Sequence, residues 1–487
     1  MIEGVRAHML DAIRLRLRAD VPVGVYLSGG IDSSVIAGMI AHLAKEEGVS
    51  LGSGDAKDRI SAFSIAFDED SGFDESSIAD RTAQWLGVKY IKKLMNEDEL
   101  AKRFEDATWH AEHHNPDLNF VGKYALSEVP RENGFKVVLT GEGADENFGG
   151  YPLYLPDYLR EPDHSMPDKD LTEELREKLC IEKEKEAADY YRKVGADASN
   201  RLENAASRQL NHITTVASMA AFSFNMFAPW TSCYGVCDPR ITIANNIDGR
   251  VKDMVMDKWH PLHTAEYVWT KGHLANIFLT CLGDRTEMAH SIEARTPFLD
   301  HKLTEYVNNL PPSMKIHYDA KEDYFTEKYI LREASRPFIT DELYKRKKHP
   351  YSAPTTWPED GPLHKLMQKL VTKENVEQLG FVDWDGQEGA NSVTGSDGQV
   401  LYGSHSGGST TNGGKASGQK SKGGAKNLVH KAFVDKDPLS MRMTLLVAEW
   451  VVIAKRFGVK KAELPVWADP DRTDCAATHP YGNGIPN

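Results

Sequence analysis

The sequence predicts an α/β protein: a parallel sheet with helices on both faces, followed by a mainly helical C-terminal part. Three observations carry this. Short apolar runs alternate with helical periodicity up to about residue 155, the pattern of strands joined by crossover helices. Two of those runs end directly in glycine-rich turns. Past Tyr151 the strand pattern stops and the chain reads as helices, loops and polar insertions.

The first element is a helix with Ile2, Val5, Met9, Ile13 and Leu17 on one face, and with Glu3 and Asp11 among its arginines. That acid content argues against a signal or transit peptide, and the expectation is a core helix of a cytoplasmic protein. Val21-Pro22-Val23-Gly24-Val25-Tyr26-Leu27 reads as a strand. It runs into Ser28-Gly29-Gly30-Ile31-Asp32-Ser33-Ser34, and a helix follows with Val35, Ile36, Met39, Ile40 and Leu43 on one side. After a polar patch, residues 60–67 alternate as a strand and end in the acidic turn Asp68-Glu69-Asp70. A helix with Ile78, Ala79, Ala83 and Leu86 inward comes next, capped by Ser71 or Asp74. Residues 88–91 read weakly as a strand, and helices are expected over 98–110 and 118–131. Phe135-Lys136-Val137-Val138-Leu139-Thr140 is a short strand leading into Gly141-Glu142-Gly143-Ala144-Asp145-Glu146-Asn147-Phe148-Gly149-Gly150-Tyr151. In a parallel sheet ligands sit at the carboxyl ends of strands, so both glycine-rich loops can face one crevice.

Five segments follow from these patterns. Residues 1–155 form the α/β core. Residues 156–204 are a charged helical insertion, with Glu182-Lys183-Glu184-Lys185-Glu186 its most polar part. Residues 205–383 are a helical part. Within it 277–282 is expected to be buried, and helices are expected over 301–310, stopped by Pro311-Pro312, and over 326–335. Residues 384–426 are rich in Gly, Ser, Thr and Asn with few apolar residues, too few to offset the entropy of ordering, and are expected to be a flexible surface insertion. Residues 427–487 hold a last helix, 438–457, and a loose tail.

Composition removes several function classes. Hydrophobic residues at 40% and charged residues at 27% fit a soluble globular chain. A formal charge of −14 excludes a general nucleic-acid binder, which needs a basic face. No apolar run is long enough to cross a membrane. The five cysteines are scattered; Cys233 and Cys237 have no second pair to complete a zinc set, so reduced thiols are expected.

The loop 28–34 has the layout of an anion site. Its glycines let backbone approach a ligand, and the helix start aims free N–H groups at it. Ser28, Ser33 and Ser34 offer hydroxyls. A carboxylate repels phosphate, so Asp32 makes sense as the holder of a divalent cation that a polyphosphate shares. The Lys of the Walker pattern is missing.

Ser28-Gly29-Gly30-Ile31-Asp32-Ser33 resembles the pyrophosphate loop of N-type ATP pyrophosphatases, whose fold is adenine nucleotide alpha hydrolase-like. With the 140–151 motif, Met288-Ala289-His290-Ser291-Ile292-Glu293-Ala294-Arg295-Thr296-Pro297-Phe298-Leu299-Asp300 and Lys328-Tyr329-Ile330-Leu331-Arg332-Glu333, the chain resembles the C-terminal synthetase domain of class B asparagine synthetases. The resemblance implies ATP and Mg2+. It implies that Leu27, Ser28, Gly29, Gly30, Asp32, Ser33, Ile65, Thr140 and Gly141 contact ATP, and that Asp32 and Asp145 hold magnesium. Thr140 stands where Ser is usual. The family's catalytic glutamate matches Glu142, which would take a proton from attacking ammonia. Lys348 aligns with the lysine that stabilises charge at the reacting centre. Asp284, Arg285, Glu293 and Arg295 read as a buried ion-pair shell, with contact to the substrate's α-carboxylate as the alternative for Arg295. His113 and His114 are expected at the surface or behind the site.

The implied reaction is asparagine synthesis from aspartate through β-aspartyl-AMP. A β-lactam-type synthetase, another adenylating amide ligase or a non-catalytic ATP-binding homologue stand as alternatives. Full-length members carry Cys immediately after Met as the nucleophile of a glutaminase domain; here residue 2 is Ile2. The expectation is a chain without that domain, which uses free ammonia, borrows a separate glutaminase chain or is a fragment. A homodimer is compatible with the family.

Overall fold

The computed structural model describes residues 1–49, 60–66, 76–193, 208–215, 226–234, 239–346, 356–386, 393–394, 400–402 and 424–465. They fall into two compact units: Met1–Ala221 with Pro239–Thr355, and Phe222–Asp238 with Thr356–Asn487.

The first unit is built on a five-stranded parallel sheet: β1 (Val23–Tyr26), β2 (Ser61–Ala66), β3 (Lys89–Leu94), β4 (Val137–Leu139) and β5 (Glu293–Arg295), in the order β3-β2-β1-β4-β5. Val25 pairs with Ala62 on one side and Leu139 on the other, and Leu139 pairs onward with Arg295. All four β1 residues are buried, as expected of a central parallel strand covered on both faces. The edge strand β3 is largely solvent-facing and carries Lys89, Lys92 and Lys93, charges that blunt an open edge.

On one face α1 (Ile2–Arg16) and α2 (Ile31–Glu46) bury Val5, Met9, Ile13, Val35, Ile36 and Met39 against β1, β4 and the later residues Ile330, Leu331 and Phe338. On the other face Tyr26, Phe63 and Val138 pack on Leu126 and Val129 of α5 (Asn119–Glu132), which follows α3 (Ser76–Leu86) and α4 (Glu97–Ala111) in the chain. The helix Glu173–Lys193 lies inside the charged segment, as its pattern predicts.

Several elements differ from the sequence reading. The sheet extends beyond residue 155, because β5 comes from 293–295; Glu-Ala-Arg has no apolar run to announce a strand. The stretch 277–282 is not a buried core segment: it belongs to a π-helix, Thr270–Arg285, in which only Leu274, Cys281 and Gly283 are buried. The helix expected from 326 begins later, at Tyr329, because Tyr324–Glu327 pairs as a hairpin strand with Ile316–Asp319. The cap candidates Ser71 and Asp74 lie outside the described residues, as does most of 384–426; within that segment Val393–Thr394 and Val400–Tyr402 pair antiparallel.

In the second unit the helix Pro438–Phe457 has the predicted bounds. Asp437 caps it by accepting from the Ser440 amide, and Gly458 ends it in the left-handed conformation. Among the described residues no helix is long and apolar enough to cross a membrane.

Gly38 sits mid-helix in α2, where glycine ordinarily costs about 1 kcal/mol relative to alanine. Here a Cβ would lie 1.9 Å from the Phe338 carbonyl oxygen. Gly38→Ala is therefore predicted to lower the unfolding free energy by about 2–4 kcal/mol in urea titration, against its helix propensity.

Candidate active site

The two glycine-rich loops leave the carboxyl ends of neighbouring strands, β1 and β4. They touch. A Cβ on Gly141 would lie 3.0 Å from Asp32 Cβ and 3.2 Å from the Ser33 amide nitrogen. Gly29 has φ +85°, a left-handed turn that glycine adopts without strain. Gly30 precedes α2 as its N-cap and offers no side chain to cap the first amides of the helix.

The serines behave differently from the sequence reading. The Ser33 and Ser34 hydroxyls are buried and donate to the Gly30 carbonyl oxygen at 3.2 and 2.8 Å, and the Ser28 amide donates to Ser33 Oγ at 3.1 Å. They brace the loop from inside; only Ser28 is exposed. Leu27 is wholly buried and donates its amide to the Phe63 carbonyl, so it presents backbone rather than side chain to the loop. Ile65 is half-buried at the end of β2, and Thr140 is buried with its amide bonded to the Arg295 carbonyl.

Asp32 and Asp145 converge on one cation. Lys328 Nζ lies 2.6 Å from Asp32 Oδ1 and 2.7 Å from Asp145 Oδ1, and the lysine is 1% exposed. Its backbone is left-handed at φ +55°, an unusual conformation for a side-chain-bearing residue, of the kind found at functional sites. The turn is held by Arg332, which donates to the Glu327 and Tyr344 carbonyls at 3.0 and 2.8 Å. Gly150 is required by the same contact: a Cβ there would lie 2.1 Å from Lys328 Cε and 2.2 Å from Asp145 Oδ1. Neighbouring Glu146 turns the other way and accepts from Tyr151 Oη at 2.7 Å; burial first, then the Asp145 charge, pushes its carboxyl above the ordinary range.

Glu142 faces a second lysine. Lys123, on α5, lies 2.7 Å from Glu142 and 3.2 Å from Glu287, and sits 5.1 Å from the Tyr26 ring centroid. Burial opposes the Lys123 charge, but the two carboxylates outweigh it and hold its pKa above the ordinary value. Glu287 is pushed up, first by burial and also by Glu142, against the pull of Lys123. Glu142 Oε2 is buried with no hydrogen-bond partner among the described residues. A cavity of about 170 Å³ opens beside it, lined by Thr140, Phe278, Leu279, Asp284, Glu287 and Thr296 among others.

The expected ion-pair shell is not there. Arg295 donates to the Arg16 and Arg18 carbonyls at 2.7 and 2.9 Å and pairs with an exposed Glu293. Arg285 donates to the Ala111 carbonyl at 2.8 Å, and Asp284 is exposed. His113 and His114 stack at 4.4 Å, and burial followed by the neighbouring imidazole brings His114 down to about 4. Lys348 lies outside the described residues. Lys123, Lys328 and Glu287 are the site residues that sequence reading missed. Lys328 stood inside a recognised motif without a role; Lys123 stood in a plain helical pattern with no local signal.

The sequence model of asparagine synthase matches residues 4–386. The chain belongs to the asparagine synthase family. Among its relatives, the amidase chyE of Penicillium rubens is 44% identical over 95% of this chain and 63% of its own length. The amidase chry2 of Gibberella zeae is 42% identical over 94% of this chain and 62% of its own. Glutamine-hydrolysing asparagine synthetase 1 of Bacillus subtilis is 29% identical over 73% of this chain and 50% of its own. The chain thus spans under two thirds of the length of these relatives.

Lys328→Met would leave two part-buried carboxylates facing each other without their cation. The unfolding free energy in urea is predicted to fall by about 2–3 kcal/mol; an unchanged value would contradict the geometry.

Proposed function

We propose that this chain acts as an ATP-dependent, AMP-forming amide ligase. A substrate carboxylate attacks the α phosphorus of ATP, pyrophosphate leaves, and ammonia then displaces AMP to give the amide. The observation that carries the reading is the meeting of Asp32 and Asp145 at Lys328 where two adjacent strands end. In-line attack at phosphorus needs positioning and charge neutralisation more than covalent help from protein. The N-terminal end of α2, with its positive dipole, and the Lys328 ammonium supply both for the departing pyrophosphate.

Lys328 occupies the point between the two Oδ1 atoms, so magnesium would be held beside the ammonium, by the carboxylate oxygens of Asp32 and Asp145 that do not face Lys328, the type of donor that Mg2+ takes together with phosphate oxygens. When bound there it would neutralise charge on the polyphosphate. Glu142 takes the proton that ammonia loses on forming the C–N bond. Its buried, unpartnered oxygen beside a cavity supports that role. Ammonia enters free or from a glutaminase, and a cytoplasmic setting with abundant ATP belongs to the same proposal.

Asparagine synthesis from aspartate is the narrower form, supported by the relatives named asparagine synthetase. A second form is favoured by the cavity. Glu142, Asp284 and Glu287 border it, with Phe278 and Leu279, and among the described residues no basic one lines it. Such a wall disfavours a second substrate carboxylate and suits an acid whose remainder is neutral, apolar or cationic. The relatives named amidases agree with amide chemistry without specifying asparagine.

The test is pyrophosphate release across the amino acids and simple carboxylic acids, with ammonium or glutamine as nitrogen source. The expected result is AMP, pyrophosphate and amide in equal amounts with at least one acid. Glu142→Ala should lower amide formation by about 100-fold or more and leave ATP binding intact. ADP as product, or no pyrophosphate with any acid, would overturn the proposal.

A further inference from the structure

The mechanism above uses Glu142 but leaves unexplained the buried cation that faces it. Lys123 is 11% exposed and Glu287 3% exposed. Taking such a pair out of water costs several kcal/mol per ion, and apolar residues of similar volume would commonly serve the fold as well. The pair therefore calls for a role besides stability. Lys123 is also shared unequally. It stands closer to Glu142, at 2.7 Å, than to Glu287, at 3.2 Å, and its approach to the Tyr26 ring fixes it from a third side.

We propose that Lys123 is a positioning residue for Glu142: it holds that carboxylate ionised and aimed into the cavity, while Glu287 anchors the lysine from behind. The inference rests on the amide-ligase reading. In the amide-forming step the ammonia nitrogen bonds to the acyl carbon, the bond from that carbon to the AMP oxygen breaks, and one N–H proton passes to Glu142. A proton acceptor at that point must be charged before attack. Glu142 cannot be left beside Glu287 without a cation, since two adjacent carboxylates share a proton at neutral pH. One ammonium between them removes that proton and leaves Glu142 Oε2 free of partners for the nucleophile.

The charged and titratable groups around Glu142 come from four elements. Tyr26 stands at the end of β1 and Lys123 on α5; Asp284 lies at the end of the π-helix, and Glu287 on the short helix Thr286–Met288. Among the described residues Lys123 is the one cation in this group, and its removal leaves the Glu142 and Glu287 carboxylates facing each other. The Glu142 pKa rises, and the proton acceptor is lost at a higher pH on the acid side.

The experiment separates the two half-reactions. ATP–pyrophosphate exchange reports adenylation, and amide formation from ammonium reports the second step, both with the acid identified by the pyrophosphate screen. Lys123→Met is expected to slow amide formation by about 100-fold, with exchange within about three-fold of wild type, and to move the acid limb of the amide profile up by about one pH unit or more. Lys123→Met/Glu287→Met removes both buried partners and guards against a folding defect. It is expected to melt near the wild type and to keep the slowed amide step, because Glu142 is no longer aimed, while its acid limb returns toward the wild-type position, because the repelling carboxylate is removed along with the cation. A wild-type amide rate in the double variant would overturn the proposal, as would equal loss of both half-reactions.

An infrared titration of the purified protein needs no acceptor acid. The protonated-carboxyl band in Lys123→Met is expected to titrate at higher pH than in wild type and to weaken on adding Glu142→Gln. An unmoved band overturns the positioning role even if the ligase reading stands. A moved band with no pyrophosphate from any acid overturns the ligase reading alone.

Discussion

One ammonium group organises this site. Lys328 reaches Asp32 from a loop almost three hundred residues earlier, by 296 positions, and Asp145 from another, and it does so from a left-handed turn that its own neighbours must hold in place. Two carboxylates brought together at the carboxyl ends of β1 and β4 would repel each other unless something positive stood between them. Much of the surrounding architecture can be understood as meeting that condition. Gly150 leaves room for the lysine, Arg332 ties down its turn, and Gly141 lets the two loops come into contact.

The same logic repeats at Glu142. A second buried lysine, Lys123, stands between Glu142 and Glu287. The candidate site thus holds two carboxylate–lysine–carboxylate units, Asp32–Lys328–Asp145 and Glu142–Lys123–Glu287. The first suits polyphosphate and its metal. The second suits a proton acceptor, because it leaves one carboxylate oxygen buried and unpartnered at a cavity wall. In both, the acids come from glycine-rich turns or a short helix, and the cations from the sequence between and beyond them.

Asp32, Glu142 and Asp145 stood out in the sequence, whereas Glu287, Lys123 and Lys328 did not, for a physical reason. Asp32, Glu142 and Asp145 sit in glycine-rich turns after apolar strands, and both glycine content and strand pattern are local signals. Lys123 lies in an ordinary helix and Lys328 beside a hairpin; what makes them functional is tertiary proximity, which leaves no mark on neighbouring residues. The first four strands and the helices 97–111, 119–132 and 438–457 were visible for the same local reasons. β5 was hidden because its residues pair by backbone alone, and the π-helix because its apolar content resembles a buried segment. Serines that look like ligand donors turned inward, since a tight turn must first satisfy its own carbonyls.

The central claim is that Asp32 and Asp145 act on one triphosphate through one cleft. The most direct measurement is a double-mutant cycle on the binding of a non-hydrolysable ATP analogue with magnesium, by calorimetry, using Asp32→Asn, Asp145→Asn and the double variant. The account predicts strong coupling: each single substitution weakens binding about as much as both together, with an interaction energy above about 1 kcal/mol. Strictly additive losses would mean that the two carboxylates serve separate sites, and would contradict it.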